Sequence, residues 1–311
     1  MIGLATTAAV VIDRAVGEPP ASVHPVARFG SAMTALERRM HAPSIVAGVA
    51  YSAIGVGVAC AVAEALRRAT GPVVACATAG SLSIAGRMLD DEVRSVAAAL
   101  KRSDRDAARR QIARLVGRST GEMGDGEIAR AAIETIAENS VDAVTASVFW
   151  GVCGGAHAVL IHRAVNTMDA MVGHRTERHR AFGVASARLD DTLNWVPARL
   201  TVLAVAVCVP RRSGEVWRAV RRDAHQHPSP NGGVIEAAFA AALGVRLGGV
   251  NRYGDTVEDR GTLGHGREPT GHDVDRAVVL SRRVQAVFVV GALVAEAALH
   301  RALRGRSRCA H

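Results

Sequence analysis

The sequence predicts an all-α, multi-pass integral membrane protein, a single domain over residues 1–311 with amphipathic helices and long polar loops. Its residues are 49% hydrophobic and mean hydropathy is +0.15 although 22% are charged, which indicates apolar runs separated by charged loops. Residues 45–63 and 143–161 contain no Asp, Glu, Lys or Arg, and about 19 such residues can cross a bilayer. No segment shows the alternation of a half-buried strand. A soluble protein with buried Ala- and Val-rich helices is the alternative.

Further apolar stretches extend this pattern along the chain. The first, 2–12, is followed by Asp13 rather than a small-residue cleavage site, so it is predicted to be a retained helix. Shorter apolar runs follow at 72–86, 200–210 and 284–299. Small residues dominate these runs, as suits close packing of helices in lipid. Arginines occur in every loop, so the positive-inside rule does not fix the orientation.

Three polar loops connect the runs, at approximately 87–140, 162–198 and 211–283. Apolar spacing predicts helices at 88–100 and 107–116 and a further helix from about residue 127. Gly, Pro and Asn predict turns at 227–233 and 251–255.

The composition excludes several functional classes. Lys101 is the only lysine and has no glycine near it, which excludes a P-loop. The net charge is +9, but arginines are scattered and only 3% of residues are aromatic, which argues against a nucleic-acid partner. The five cysteines form no CxxC pair, so neither a zinc site nor a disulfide framework is indicated.

Acidic residues of the predicted helix after residue 127 form the first candidate site. Glu127, Glu134, Glu138 and Asp142 fall on one helix face, beside Asn139. Like charges at this spacing repel, so the face requires a cation. Because Mg²⁺ prefers carboxylate oxygens, the last three acids are candidate metal ligands. Pairing with arginines of neighbouring helices is the alternative.

Polar groups around residues 166–199 form the second candidate site. Carboxylates and amides recur one helical turn apart and arginines flank them. They supply oxygens for Mg²⁺ and guanidinium forks for phosphate, whereas a solvated arginine-rich surface is the alternative. The residues are Asn166, Asp169, Arg188, Asp190, Asp191, Asn194 and Arg199.

Two further stretches carry weaker signals. Ser229 and Asn231 precede two glycines and a helix with Glu236, and free N–H groups at a helix N-terminus can bind an anion. Ordinary turn and capping chemistry is the more common explanation, and turn histidines such as His227 are not usually ligands. Near the chain start, residues 12–30 have on pattern alone the features of a rigid loop.

Together these stretches resemble the CobD/CbiB family of cobalamin-biosynthesis proteins, with several long motifs in the right order. Matches occur at Ile12–Asp13, Gly17–Pro20, His24–Val26, Gly30, Val116–Thr120, Ile128–Ala131, Glu134–Asp142, Asn166–Gly173, Phe182–Gly183, Ala187–Asp191, Asn194, Pro197–Arg199 and Asp223–Gly254. The chain departs from the family pattern at Glu18, Ser119 and Ala143, and again at Gly261 and His265.

The resemblance implies a bacterial cell-membrane ligase that forms a C–N bond. Such proteins join adenosylcobyric acid to (R)-1-aminopropan-2-ol or its O-phosphate with ATP hydrolysis, and Mg²⁺ is the implied metal. The lipid bilayer and other cobalamin-assembly enzymes are the implied partners, and nucleic acid is not. A membrane carrier for a precursor, or a non-catalytic membrane scaffold, remains an alternative.

The resemblance also suggests individual roles, stated here as hypotheses. Mg²⁺–ATP would be gathered by Glu134, Glu138, Asp142, Asp190 and Asp191. Arg188 and Arg199 would hold phosphates, and the turn with Ser229 and Asn231 would bind the nucleotide or the amine phosphate. Glu236, Arg246 and Asn251 are further candidate cofactor-binding residues. Asn139, Asn166 and Asn194 would orient the acyl group, and Asp169 is a further candidate catalytic residue.

Overall fold

A computed structural model describes residues 1–20, 22–174, 176–253 and 256–308. Gly254, which ends the last matched motif, lies outside the described residues. Helices occupy Ile2–Val16 (α1), Pro25–Met40 (α2), Ile45–Ser83 (α3), Gly86–Lys101 (α4), Arg105–Ile112 (α5), Asp125–Ser140 (α6), Ala146–Val172 (α7), Val184–Cys208 (α8), Ser213–Asp223 (α9), Gly232–Leu243 (α10) and Gly271–Arg308 (α11). Strands occupy Leu247–Tyr253 (β1) and Thr256–Leu263 (β2).

The chain divides into two compact units, each assembled from separate segments. Unit 1 comprises Met1–Ala85, Asp142–Leu193 and Phe288–His311, and unit 2 comprises Gly86–Val141 and Asn194–Val287. Whether residues 1–311 form a single domain stays a prediction.

In unit 1, α3 packs along α7, and α1 packs against both. The core includes Met33, Tyr51, Met168 and Phe182. Small residues permit this packing: a Cβ added at Gly80 of α3 would lie 2.7 Å from the Cβ of Ala9 in α1. The expectation that small residues allow close approach of helices is therefore confirmed here.

Glycines break the two longest helices of unit 1. Gly71, with φ of +79°, precedes Pro72 and interrupts α3, because proline disfavours the α conformation of the residue before it. The apolar runs 45–63 and 72–86 therefore lie on opposite sides of a break. In α7, Gly155 with φ of +59° makes a similar interruption.

Unit 2 contains the amphipathic helices α4, α5 and α6, as the apolar spacing predicted, although α5 ends at Ile112 rather than near residue 116. Helix α6 packs against α4, α5, α10 and β1, and α10 packs against α9. The turn predicted at 227–233 is present and leads directly into α10.

The antiparallel hairpin of β1 and β2 corrects the prediction that the chain has no strands. Its register breaks between Gly248 and Val250, where Gly248 and Gly249 both adopt positive φ. A bulge of this kind, together with the charged residues of β2, removes the side-chain alternation that would have indicated a strand. The paired side chains of Leu247 and Leu263 are buried, so one end of the hairpin is packed into the core.

Three described stretches are long and apolar enough to cross a membrane: Ile45–Lys101, Asp125–Val172 and Gly271–Ala298. A fourth results if Val184–Cys208 and Pro210–Gln226, which are bent by 108°, count as one span. Helix α3 also exposes large apolar side chains, among them Val46, Val49 and Val62, as a lipid-facing helix would. These features agree with a helical membrane protein, while the number of crossings stays a prediction.

Candidate functional site

The residues predicted from sequence fall into a separate set in each unit. Unit 2 contains Glu134, Glu138, Asn139, Asn194, Arg199, Ser229, Asn231, Glu236, Arg246 and Asn251. Unit 1 contains Asp142, Asn166, Asp169, Arg188, Asp190 and Asp191.

Glu134 is the centre of a buried polar network in unit 2. Arg118 donates from Nη2 to Glu134 Oε2 at 2.5 Å, and the Gly248 N–H donates to Oε1 at 2.8 Å. Arg118 also donates to Asn251 Oδ1, and Arg130 donates to the same oxygen at 3.3 Å. Both carboxylate oxygens are thus engaged by the protein, which matches the alternative of pairing with arginines.

A histidine–carboxyl pair lies in the same unit. His227 Nε2 lies 3.5 Å from Glu236 Oε1, and both side chains are buried. His227 Nδ1 lies 3.1 Å from the Ser229 nitrogen, whose N–H can donate to it, and 3.3 Å from the Ser229 carbonyl oxygen, which can accept from it. The Arg260 guanidinium, which can only donate, lies 3.4 Å from Nε2.

Burial shifts the pKa of each partner away from the charged form. It raises the pKa of Glu236 well above its ordinary value, and the carboxylates of Glu134 and Glu138 raise it further. It lowers the pKa of His227, while a hydrogen bond from Nδ1 to the Ser229 carbonyl oxygen acts in the opposite direction. Both shifts favour a neutral carboxyl and a neutral imidazole.

The turn before α10 is held by its own side chains. Ser229 Oγ accepts hydrogen bonds from the N–H groups of Asn231 at 3.3 Å and Gly232 at 3.0 Å. Arg199 Nη1 donates to Asn231 Oδ1 at 2.6 Å, and Nη2 donates to the Pro230 carbonyl at 3.1 Å. This is the turn chemistry that the sequence left open, and anion binding here stays a prediction.

The remaining predicted residues of unit 2 differ in their exposure. Glu138 lies against the start of α10, because a Cβ added at Gly232 would be 2.7 Å from Glu138 Oε1. Asn194 is buried, Asn139 is half-buried, and Arg246 is exposed.

In unit 1 the structure joins two parts of the second predicted site. Asn166 Nδ2 donates to Asp190 Oδ1 at 3.3 Å, and Arg163 Nη1 lies 3.5 Å from Asn166 Oδ1. Asp169 covers the end of α7, since a Cβ at Gly173 would lie 1.8 Å from its Oδ1. Asp191 is half-buried and Arg188 is exposed.

Asp142 does not continue the helix face predicted from Glu127. Helix α6 ends at Ser140 and a π-helical segment, Val141–Thr145, follows it. A π turn takes more residues than an α turn, so the regular spacing ends there. Glu127 instead accepts a hydrogen bond from the Gly124 N–H at 2.8 Å at the start of α6.

The predicted carboxylates fit a magnesium site that phosphate and water complete better than a site built from protein ligands alone. Among the described residues, no group of three His, Cys, Asp or Glu side chains could hold a metal ion. Mg²⁺ in phosphate-transfer sites commonly takes one or two carboxylates and completes its shell with phosphate and water oxygens. Asp190 and Asp191 are adjacent, half-buried carboxylates, a number that fits that arrangement.

Sequence reasoning missed several residues of these networks. Arg118 lies inside the motif at 116–120, and Arg163 stands within an apolar spanning segment, where an ionisable residue is itself a functional signal. His227 was passed over as a turn residue. Arg260 belongs to a hairpin that the sequence did not reveal.

Comparison with known proteins shows the family to which this chain is related. The family described as CobD/Cbib protein matches residues 6–281. The chain belongs to the CobD/CbiB family. The resemblance drawn from its motifs is therefore confirmed.

Relatives in this family align over nearly their whole lengths. A protein of Mycobacterium tuberculosis called cobalamin biosynthesis protein CobD is 44% identical over 290 residues, which cover 91% of this chain and 92% of that protein. Proteins with the same name from Geobacter metallireducens and Halalkalibacterium halodurans are 40% and 37% identical, covering 86% and 92% of this chain and 88% and 94% of theirs. No solved structure matches the chain significantly.

Proposed function

We propose that this chain acts in cobalamin biosynthesis as an ATP-dependent amide ligase of the bacterial cell membrane. It joins adenosylcobyric acid to (R)-1-aminopropan-2-ol or its O-phosphate. The observation that carries the proposal is the alignment, over almost the whole chain, with relatives whose name is cobalamin biosynthesis protein CobD. The three or four stretches able to cross a membrane support the location.

The reaction requires activation because a carboxylate is a poor acyl donor. A carboxylate oxygen of adenosylcobyric acid attacks the γ-phosphorus of ATP, and ADP leaves with the electrons of the broken P–O bond. The amine nitrogen then attacks the carbonyl carbon of the acyl phosphate. Inorganic phosphate leaves and the nitrogen releases a proton. Such a site needs groups that bind phosphate and groups that stabilise the developing oxyanion.

Unit 2 supplies groups suited to anionic phosphate. Arg199 is partly exposed and already fixed to the Ser229–Asn231 turn, so its guanidinium is held in one place. Arg130 supplies a second guanidinium group beside the glycine-rich start of β1, where its Nη2 donates to the Val250 carbonyl at 3.2 Å. Fixed guanidinium groups bind phosphate oxygens more strongly than neutral donors do.

Glu134 has a positioning role in this proposal. Its carboxylate fixes Arg118 and the Gly248 N–H, and through Arg118 it also fixes Asn251. Metal binding is assigned instead to Asp190 and Asp191 of unit 1. Mg²⁺, when bound, would supply Lewis-acid chemistry to an anionic oxygen ligand.

The deciding experiment uses the purified full-length chain in lipid nanodiscs. It is incubated with adenosylcobyric acid, Mg²⁺–ATP and either amine, and mass spectrometry follows the product while ADP is measured separately. Equal amounts of amide product and ADP are expected. Absence of both with either amine would contradict ligation, and substrate uptake without ATP turnover would indicate a carrier.

The metal assignment has its own variants. Asp190→Asn with Asp191→Asn should weaken Mg²⁺ dependence by at least roughly the 10–100-fold typical of disturbed metal sites. Glu122→Gln with Glu177→Gln removes two exposed acids as a matched control and should leave the rate unchanged. Normal product formation by the aspartate variant would remove both residues from the metal site.

A further inference from the structure

Arg163 of α7 is a charged residue in a stretch able to cross a membrane, and its charge is poorly matched. Its Nε is buried and has no hydrogen-bond partner among the described residues. The one hydrogen bond of its side chain within the described part of the chain, from Nη1 to Asn166 Oδ1, is long at 3.5 Å. A guanidinium stays protonated even when it is buried, so Arg163 cannot lose its charge to avoid the cost of burial.

Two acidic groups that act on Arg163 come from distant parts of the sequence. Glu18, from the loop after α1, and Asp142, from the π-helical segment, act on the guanidinium electrostatically. No carboxylate of the described residues forms an ion pair with it within 4.0 Å, the limit for such a contact. Asn166 links Arg163 to Asp190. Acidic residues from segments that the sequence alone treated as unrelated therefore act electrostatically on one arginine.

The form of the backbone strengthens the case for a ligand. Asp142 lies in the π-helical segment Val141–Thr145, and single π turns within α-helices occur frequently at functional sites. The Nε donor of Arg163, the arginine on which Asp142 acts electrostatically, is unused within the described part of the chain.

We propose that Arg163 is a ligand-binding residue whose guanidinium receives an oxyanion, a phosphate or a carboxylate, of the substrate. The fork of the guanidinium matches both groups, since each presents two oxygens to two N–H donors. The inference rests on the proposed function, in which the amine phosphate offers the phosphate and adenosylcobyric acid offers the carboxylate. Asn166 is then a positioning residue for Arg163.

The test measures binding without ATP, so it does not depend on ligation. Full-length protein in nanodiscs is titrated calorimetrically with (R)-1-aminopropan-2-ol O-phosphate, with the free amino alcohol, and with adenosylcobyric acid. Arg163→Gln should weaken binding of an anionic ligand about 10-fold or more, as for loss of a charged hydrogen bond. Arg39→Gln, which removes an exposed arginine of α2 in the same unit, should change each Kd less than about 2-fold.

Each titration identifies one source of the oxyanion. A loss confined to the amine phosphate assigns the phosphate to Arg163, and a loss confined to adenosylcobyric acid assigns the carboxylate. Equal affinities in parent and variant, or no binding by the parent, would overturn the inference.

Two measurements guard against a folding defect. Arg163→Lys keeps the charge but not the fork, and it should weaken the same ligand several-fold at an unchanged unfolding temperature. If Arg163→Gln does not fold, the affinity of Arg163→Lys tests the inference instead. An affinity equal to that of the parent protein would again overturn it. Anion binding that depends on Arg163 in a protein without ligase activity would contradict the proposed function and leave the binding residue assigned.

Discussion

Replacing Arg118 by methionine tests the buried network of unit 2. The Arg118 and Glu134 side chains are only 5% and 10% exposed, and their charged groups meet at 2.5 Å. Methionine fills similar space but leaves the carboxylate with the Gly248 N–H as its hydrogen-bond donor and with Arg130 Nε 4.0 Å from Oε1. Removing one partner of a buried ion pair typically costs about 3–5 kcal/mol.

That cost translates into a measurable fall in unfolding temperature. Unit 2 has about 150 residues, and for domains of roughly 150–250 residues each kcal/mol lowers Tm by about 2–4 °C. The Arg118→Met variant should therefore melt about 6–20 °C lower. Arg110→Met, an exposed substitution on α5, is the matched control and should change stability by no more than about 0.5 kcal/mol.

Intrinsic fluorescence can follow this unit by itself. The chain has three tryptophans, of which Trp150 belongs to unit 1 and Trp195 and Trp217 belong to unit 2. On a Trp150→Phe background, the thermal transition therefore reports unit 2 alone. The background variant serves as the parent for every comparison.

A double variant separates loss of the pair from loss of packing. Arg118→Met with Glu134→Leu replaces both charges by apolar groups, which is often nearly neutral in buried pairs, so most of the lost stability should return. A single variant that melts within about 2 °C of its parent would refute the stabilising role of the pair. A double variant as unstable as the single one would show that the unpaired carboxylate is not the cause.

Two further predictions concern packing and pH. Gly48→Ala should destabilise unit 1 by about 1–3 kcal/mol because the new Cβ would press on the Phe182 carbonyl. Gly57→Ala is the control: its Cβ would have nothing within 4 Å, so thermal melts should show neutral or higher stability. Equal unfolding temperatures for the two variants would contradict the close approach of Gly48 to Phe182. Burial, aided by two carboxylates, raises the pKa of Glu236. The unfolded chain releases this proton near the ordinary value of 4.5 while the folded chain retains it to higher pH, so stability should fall as pH rises through that window. Glu236→Gln should melt above the parent at pH 8 and with it at pH 4, and parallel pH profiles would exclude this explanation.

The local parts of the fold could be predicted because they depend on neighbouring residues. Uncharged runs predicted helices, and Gly71 before Pro72 lies between two of those runs. Apolar spacing predicted α4, α5 and α6. The hairpin could not be predicted in this way, because its bulged backbone at Gly248 and Gly249 carries no alternation of apolar and polar side chains.

The candidate sites were predictable only as residue types. Spacing correctly put Glu134 and Glu138 one turn apart on a helix, but it could not show that Glu134 meets Arg118 and the Gly248 N–H. Residues 134 and 248 are 114 positions apart, and no local pattern encodes a contact between them. From the sequence alone, metal binding by these acids and their pairing with arginines were both possible. Only the packing of the folded chain shows the pairing.

By itself, the sequence determined the family, through ordered motifs, and the helical class, through the length and composition of its apolar runs. Only the tertiary structure decided which charges are paired. Arg118 donates a hydrogen bond to Glu134, whereas Glu18 and Asp142 act on Arg163 only through longer-range electrostatics. The physical reason is that helix formation follows from interactions between residues three or four positions apart. The environment of a charge depends instead on segments that the chain brings together from far apart.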